Sequence, residues 1–202
     1  MGGKRMTYSF QERLQFSKGA RQASDIETIK SLLDGCSEVR EAKKDLDLLG
    51  VDYIATLRKG AEVYVDAKTR QAGCSRFWRG EPEIAIETWS VMPGGKFQTT
   101  IGKTGWTLDE AKITDLILYT FDYSDCKTAF LLPFQNLRIA ARRMVRHWMQ
   151  RFKVDVQTSK EHGRQWESQV ILVPISEVIL ALETTYSGAV PEPQNPAQSE
   201  LF

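Results

Sequence analysis

Asp52, Asp66 and Lys68 are the residues whose types and spacing carry chemistry. They sit in "VDYIATLRKGAEVYVDAKTR" (51–70), two apolar runs joined at Arg58–Lys59–Gly60. A three-residue loop with Gly60 in the left-handed conformation makes this a hairpin. Leu57 then faces Ala61, and counting back sets Asp52 opposite Asp66. Side chains alternate along a strand, so Asp66 and Lys68 share one face. Val51, Tyr53, Ala55, Leu57, Val63 and Val65 are left for the core face. A two-residue loop would shift the register by one and move Asp52 to the opposite side. Facing carboxylates repel unless positive charge lies between them. Two hard oxygen donors suit Mg²⁺, or Mn²⁺ in its place, which keeps several waters and takes further ligands from a phosphate. A lysine beside such an ion can orient or help deprotonate a water. The chemistry implied is metal-assisted phosphodiester hydrolysis.

"GVD" at 50–52, a turn, and "VDAK" at 65–68 resemble the motif of the PD-(D/E)XK nuclease superfamily. That motif is an Asp, a hairpin, and an acid–x–Lys on the next strand, within a core of helix, strands, helix and strand. The resemblance covers about residues 10–150, and Val51 stands where the motif has proline. It implies a restriction-endonuclease-like α/β (α+β) core, a central mixed sheet flanked by helices. It also implies Asp52 and Asp66 as metal ligands, Lys68 as the water-positioning base, and DNA as the partner. Members often add an acid from the first helix, and Glu12 and Glu27 are both open for that place. Dimers are common among such enzymes, so a homodimer is an expected assembly. Glu87, an acid inside the apolar run "IAIETWS", is expected beside the Asp–x–Lys strand, as an accessory ligand or a partner of Lys68.

The elements that must position these residues are readable in part. Apolar residues at helical intervals predict helices over 8–16 and 25–34. Ser24 or Asp25 is the expected N-cap of the second, and Gly35 its stop. Strands are expected at Val39–Lys43, Val51–Leu57, Ala61–Lys68, Ile84–Ser90, Asp115–Phe121, Thr128–Leu132 and Val170–Pro174. Residues 136–152 carry Leu137, Ala141, Met144, Val145, Trp148 and Phe152 on one stripe, the clearest helix in the chain. A last helix is expected over Ile175–Thr184, capped by Ser176. Residues 1–186 read as one domain and 187–202 as a flexible, proline-rich tail.

Basic residues cluster in two places. Arg70, Arg76 and Arg79 surround Phe77 and Trp78 just after Lys68, a combination suited to a phosphate backbone and an unstacked base. The 136–152 helix carries Arg138, Arg142, Arg143, Arg146, His147 and Arg151 with no acid among them. Acids normally interleave on a solvated helix, so Arg142, Arg143 and Arg146 are expected to face DNA. "GGKFQTTIGKTGW" (94–106) lacks the Walker frame, and ATP binding is not expected.

The chain closes on "QSELF". Gln198, Leu201 and Phe202 resemble the pentapeptide that binds bacterial sliding clamps, with Leu and Phe filling an apolar pocket and Gln bonding at its edge. A tethered tail of this kind would raise the effective concentration of the domain at DNA.

Composition sets outer bounds. The chain has 202 residues, is 42% hydrophobic and 26% charged, and has a net charge of +1. That is an ordinary globular composition able to bury a core. Cys36, Cys74 and Cys126 are dispersed and form no CxxC, so neither a disulfide framework nor a zinc site is expected. No run approaches the roughly 18 apolar residues of a membrane span, and "MGGKRMTYSF" has no apolar signal region. The expectation is a cytoplasmic protein of a bacterium or of a phage-infected host. Three functions follow: a Mg²⁺-dependent DNA nuclease in replication, repair or restriction-like metabolism; a nuclease-fold protein that binds DNA or protein without cutting; and an RNA-acting enzyme of the same fold.

Overall fold

A computed structural model describes residues 20–71, 81–97, 101–122, 127–161 and 164–186. The expected helix over 8–16 with Glu12, the loop residues Arg76 and Arg79, and the tail with Gln198, Leu201 and Phe202 lie outside the described residues.

Among the described residues the first elements are α1 (Ala20–Leu32), β1 (Cys36–Glu41), a short α2 (Lys44–Asp47), β2 (Tyr53–Leu57) and β3 (Glu62–Gln71). Next come β4 (Glu83–Val91), β5 (Lys103–Thr104), β6 (Leu116–Asp122) and β7 (Lys127–Pro133). The chain continues with α3 (Phe134–Arg151), β8 (Lys153–Glu161), β9 (Arg164–Pro174) and α4 (Ile175–Tyr186). The strands form two sheets. One is a mixed five-stranded sheet in the order β1-β2-β3-β6-β7, with β3 and β6 parallel and the other pairs antiparallel. The other is antiparallel, in the order β5-β4-β9-β8. The architecture is α+β, a mixed sheet flanked by helices.

The hairpin register follows from its turn. Leu57 N–H bonds the Ala61 carbonyl at 2.8 Å, Gly60 N–H bonds the Leu57 carbonyl at 2.8 Å, and Gly60 has φ of +81°. Tyr53 pairs with Val65 and Ala55 with Val63, the register that the three-residue loop requires, and Asp52, just beyond the last pair, meets the Asp66 side chain. Tyr53, Ala55, Val63 and Val65 pack with Val39, Leu118 and Ile29 under α1. α1 presents Ile26 and Ile29 to this face, Leu33 just past its end joins them, and the helix stops before Gly35, whose φ is +74°.

The face bearing Asp66 is covered as well. Ile117, Tyr119 and Phe121 of β6 meet Ile84 and Ile86 of β4, Ile171 and Val173 of β9, and the apolar stripes of α3 and α4. The Tyr119 hydroxyl accepts the Ala85 N–H at 2.9 Å, tying the sheets together. A parallel pair needs a long crossover, and here it runs through the second sheet. Among the described residues between β3 and β6 there are strands and turns but no helix, unlike the helix of the motif's core.

Several expectations are corrected. α1 spans Ala20–Leu32, so Ser24 and Asp25 lie inside the helix and not at its N-cap. Asp25 is buried and accepts the Tyr53 hydroxyl at 3.3 Å. Ser176 is the second residue of α4, and its hydroxyl bonds Glu81 at 3.1 Å. β8, "KVDVQTSKE", was not expected as a strand because its few apolar residues belong to a half-covered sheet edge.

Candidate active site: a carboxylate pair between two lysines

Asp52 and Asp66 approach across the β2–β3 register. Asp52 N–H bonds the Val65 carbonyl at 2.9 Å, and the Ala67 N–H donates to Asp52 Oδ2 at 2.7 Å. The backbone of the third strand therefore orients the carboxylate of the second. Asp66 is 1% exposed. Its Oδ1 accepts from Lys68, and its Oδ2 accepts from Lys112 Nζ at 2.6 Å. Lys68 lies two residues along the same strand face, and its ammonium sits 5.8 Å from the Trp106 ring centroid.

Burial and charge pull these groups apart. Burial pushes the Asp52 carboxyl up, Lys68 opposes it and Asp66 adds to it, leaving a pKa of about 6. Burial also acts upward on Asp66, but the ammonium groups of Lys68 and Lys112 outweigh it and hold Asp66 below the ordinary carboxylate range. Burial acts downward on Lys68, and the Asp66 and Asp52 carboxylates reverse it, so its pKa lies above the ordinary lysine value. Lys68 is therefore an ammonium that donates hydrogen bonds. It is suited to orient a water or a phosphate oxygen, and less suited to the role of base.

Lys112 is a member of this cluster that the sequence reading missed. It lies in the loop before β6, and no periodicity or motif marks it. Two contacts bring that loop to the hairpin: Ile113 N–H to the Leu49 carbonyl at 3.3 Å, and the Thr114 hydroxyl to the Gly50 carbonyl at 2.5 Å. Gly50 has φ of +82°, and a Cβ there would lie 2.5 Å from Lys112 Nζ. The glycine provides both the left-handed turn and the space for the ammonium.

The other expected residues divide. Glu87 is on β4 in the second sheet, so it does not pair beside β3. Its Oε2 accepts the Ser90 hydroxyl at 2.8 Å and the Trp106 N–H at 2.9 Å. It holds the turn that carries Trp106, and its charge helps to raise the Lys68 pKa. Glu27 is exposed on α1, which packs on the opposite face of the sheet from Asp66. Arg70 belongs to β3 rather than to a basic loop. It is 7% exposed, donates to the Glu83 carbonyl and lies 3.6 Å from the Glu83 carboxylate. Its position, four residues after Asp66 on an inward face, makes it a bridge between the sheets instead of a DNA contact.

On α3, Arg142, Arg143 and Arg146 are exposed opposite the buried Leu137, Ala141 and Trp148. The missing acids come from elsewhere in the chain. Arg142 pairs with Glu110, and Arg151 pairs with Glu177 at 3.1 Å. Arg138 bonds the Asp109 carbonyl at 3.1 Å.

Asp52 and Asp66 are the residues that could hold a metal. Two carboxylates fit a Mg²⁺ that keeps most of its water shell, and do not fit an ion that needs a full protein cage. Among the described residues no group of three or more His, Cys, Asp and Glu side chains is placed to hold an ion. No helix among the described residues is long and apolar enough to cross a membrane. Compared with family models, curated proteins and solved structures, the chain matches none.

Proposed function

We propose that this protein is a Mg²⁺-dependent nuclease of the PD-(D/E)XK type that hydrolyses phosphodiester bonds in DNA. The observation that carries the reading is the facing pair Asp52 and Asp66 with Lys68 on the same strand face. The order of α1, three antiparallel strands, a crossover and a strand parallel to β3 supports a restriction-endonuclease-like core. Asp52 and Asp66 would hold the ion, which when bound supplies positive charge at the scissile phosphate and acidifies a water. Lys68 donates to the attacking water or to a phosphate oxygen. Trp106 and the apolar core behind it keep that ammonium partly dry, which strengthens its field. Arg143 and Arg146 present positive charge that suits a phosphate backbone.

A second reading is favoured by one contact set: both oxygens of Asp66 are engaged by lysines. A nuclease-fold protein that binds DNA without cutting would look this way. Cleavage of plasmid and short oligonucleotides separates the two, with Mg²⁺, Mn²⁺, Ca²⁺ or EDTA and wild type beside Lys68→Ala. The nuclease reading expects cutting with Mg²⁺ or Mn²⁺ only, reduced roughly 10²-fold or more in the variant. Salt-sensitive DNA binding without cutting of any substrate would favour the second reading. Asp66→Ala is a poorer test, because it strands two lysines without their counter-charge and costs about 3–5 kcal/mol of stability.

A further inference from the structure

Lys68 and Lys112 are not equivalent partners of Asp66. The Lys68 backbone is held in β3, two residues from Asp66, so the strand keeps that side chain on the Asp66 face. Lys112 comes from a loop whose neighbours Ala111 and Ile113 are exposed, on a stem of four rotatable carbons. Its resting place is nevertheless built. The Lys112 side chain is 13% exposed, Gly50 leaves room for its ammonium, and two hydrogen bonds join its loop to the hairpin. This places a movable unit of positive charge where the carboxylate pair needs one. We infer that Lys112 is the resident counter-cation of the Asp52–Asp66 pair, and that a divalent ion binds at Asp66 by displacing it.

The inference rests on the reading of Asp52 and Asp66 as a metal pair. Its physical basis is plain. Without a cation the two carboxylates would face each other largely out of water, at a cost that rises steeply in low dielectric. An ammonium from the chain keeps the apo protein folded. An ammonium held at 2.6 Å from Asp66 also repels an incoming ion, so Lys112 has to leave for that ion to bind.

The test is Mn²⁺ binding by calorimetry and by electron paramagnetic resonance, with no nucleic acid present. Wild type, Lys112→Met, Lys112→Gln and Lys112→Gln combined with Asp66→Asn are compared. The glutamine variant keeps a hydrogen-bond donor for Asp66 and guards against failure of the methionine variant to fold. In a parallel measurement on wild type, amine acetylation of Lys112 is followed by peptide mass spectrometry with and without Mn²⁺. The expectation is Mn²⁺ binding about tenfold tighter or more in the neutral variants. That gain should be lost when Asp66 is also changed, and Lys112 labelling in wild type should rise several-fold with Mn²⁺ (about that order for a freed surface amine). Equal Mn²⁺ affinity in wild type and neutral variants, with unchanged labelling, overturns the inference and leaves the metal pair standing. Weaker binding in the neutral variants also overturns it, and makes Lys112 a support of the site. No Mn²⁺ binding by any protein defeats the metal pair and this inference together.

Discussion

Asp52 is where site and stability oppose each other, and Asp52→Asn measures the conflict. Its folded pKa is about 6 against an ordinary 3.8. The folded protein thus holds a proton on Asp52 over a range where the unfolded chain has released it. Stability from this group is greatest at low pH and is lost as pH rises from about 4 to about 6, then stays low. A shift of about two units at ~1.4 kcal/mol each amounts to about 3 kcal/mol. Asparagine mimics the protonated acid: its oxygen can still accept the Ala67 N–H, and its amide can donate to Asp66. In metal-free buffer at about pH 8, Asp52→Asn should therefore be more stable than wild type by about 2–3 kcal/mol, or ~4–12 °C in Tm. The two should converge near pH 4. Asp66 does not blur the comparison, because its depressed pKa moves its own loss of stability to lower pH. Urea unfolding followed by the fluorescence of the five tryptophans measures both profiles. Added Mg²⁺ should stabilise wild type and not the variant, by linkage. Parallel pH profiles, or a less stable variant at about pH 8, would refute the reasoning, since attraction to Lys68 would then outweigh the cost of burial.

Gly50→Ala should destabilise by about 2–4 kcal/mol, of which ~1–2 is the left-handed backbone and the rest the displaced Lys112. A double-mutant cycle with Lys112→Met, read by urea unfolding, should show coupling above about 0.5 kcal/mol, and simple additivity would separate the glycine from the lysine. Deletion of residues 198–202 should abolish capture by a bacterial sliding clamp in a pull-down while leaving cleavage of short DNA unchanged; undiminished capture would end the clamp proposal.

Local rules made half of the site legible. A three-residue turn closing on Gly60 sets the register that brings Asp52 opposite Asp66, and alternation then puts Lys68 beside Asp66. The stripe on α3 and the stop at Gly35 follow from helical period and backbone conformation in the same way. These features depend on neighbours within a few residues, so the sequence by itself determined them. Tertiary structure decided the rest. Lys112 lies 46 residues from Asp66, and only the parallel β3–β6 pairing returns the chain to that point. Arg70 reads as one more basic residue until the second sheet closes over it and Glu83 meets it. Glu87 reads as a neighbour of the Asp–x–Lys strand until β4 pairs with β9 instead. The acids that pair with Arg142 and Arg151 of α3 come from residues 110 and 177, outside any window that describes the helix. Periodicity reports which face of an element is buried. Which charge meets which across that face depends on how distant segments pack, and the buried charges of this site required that packing to find their partners.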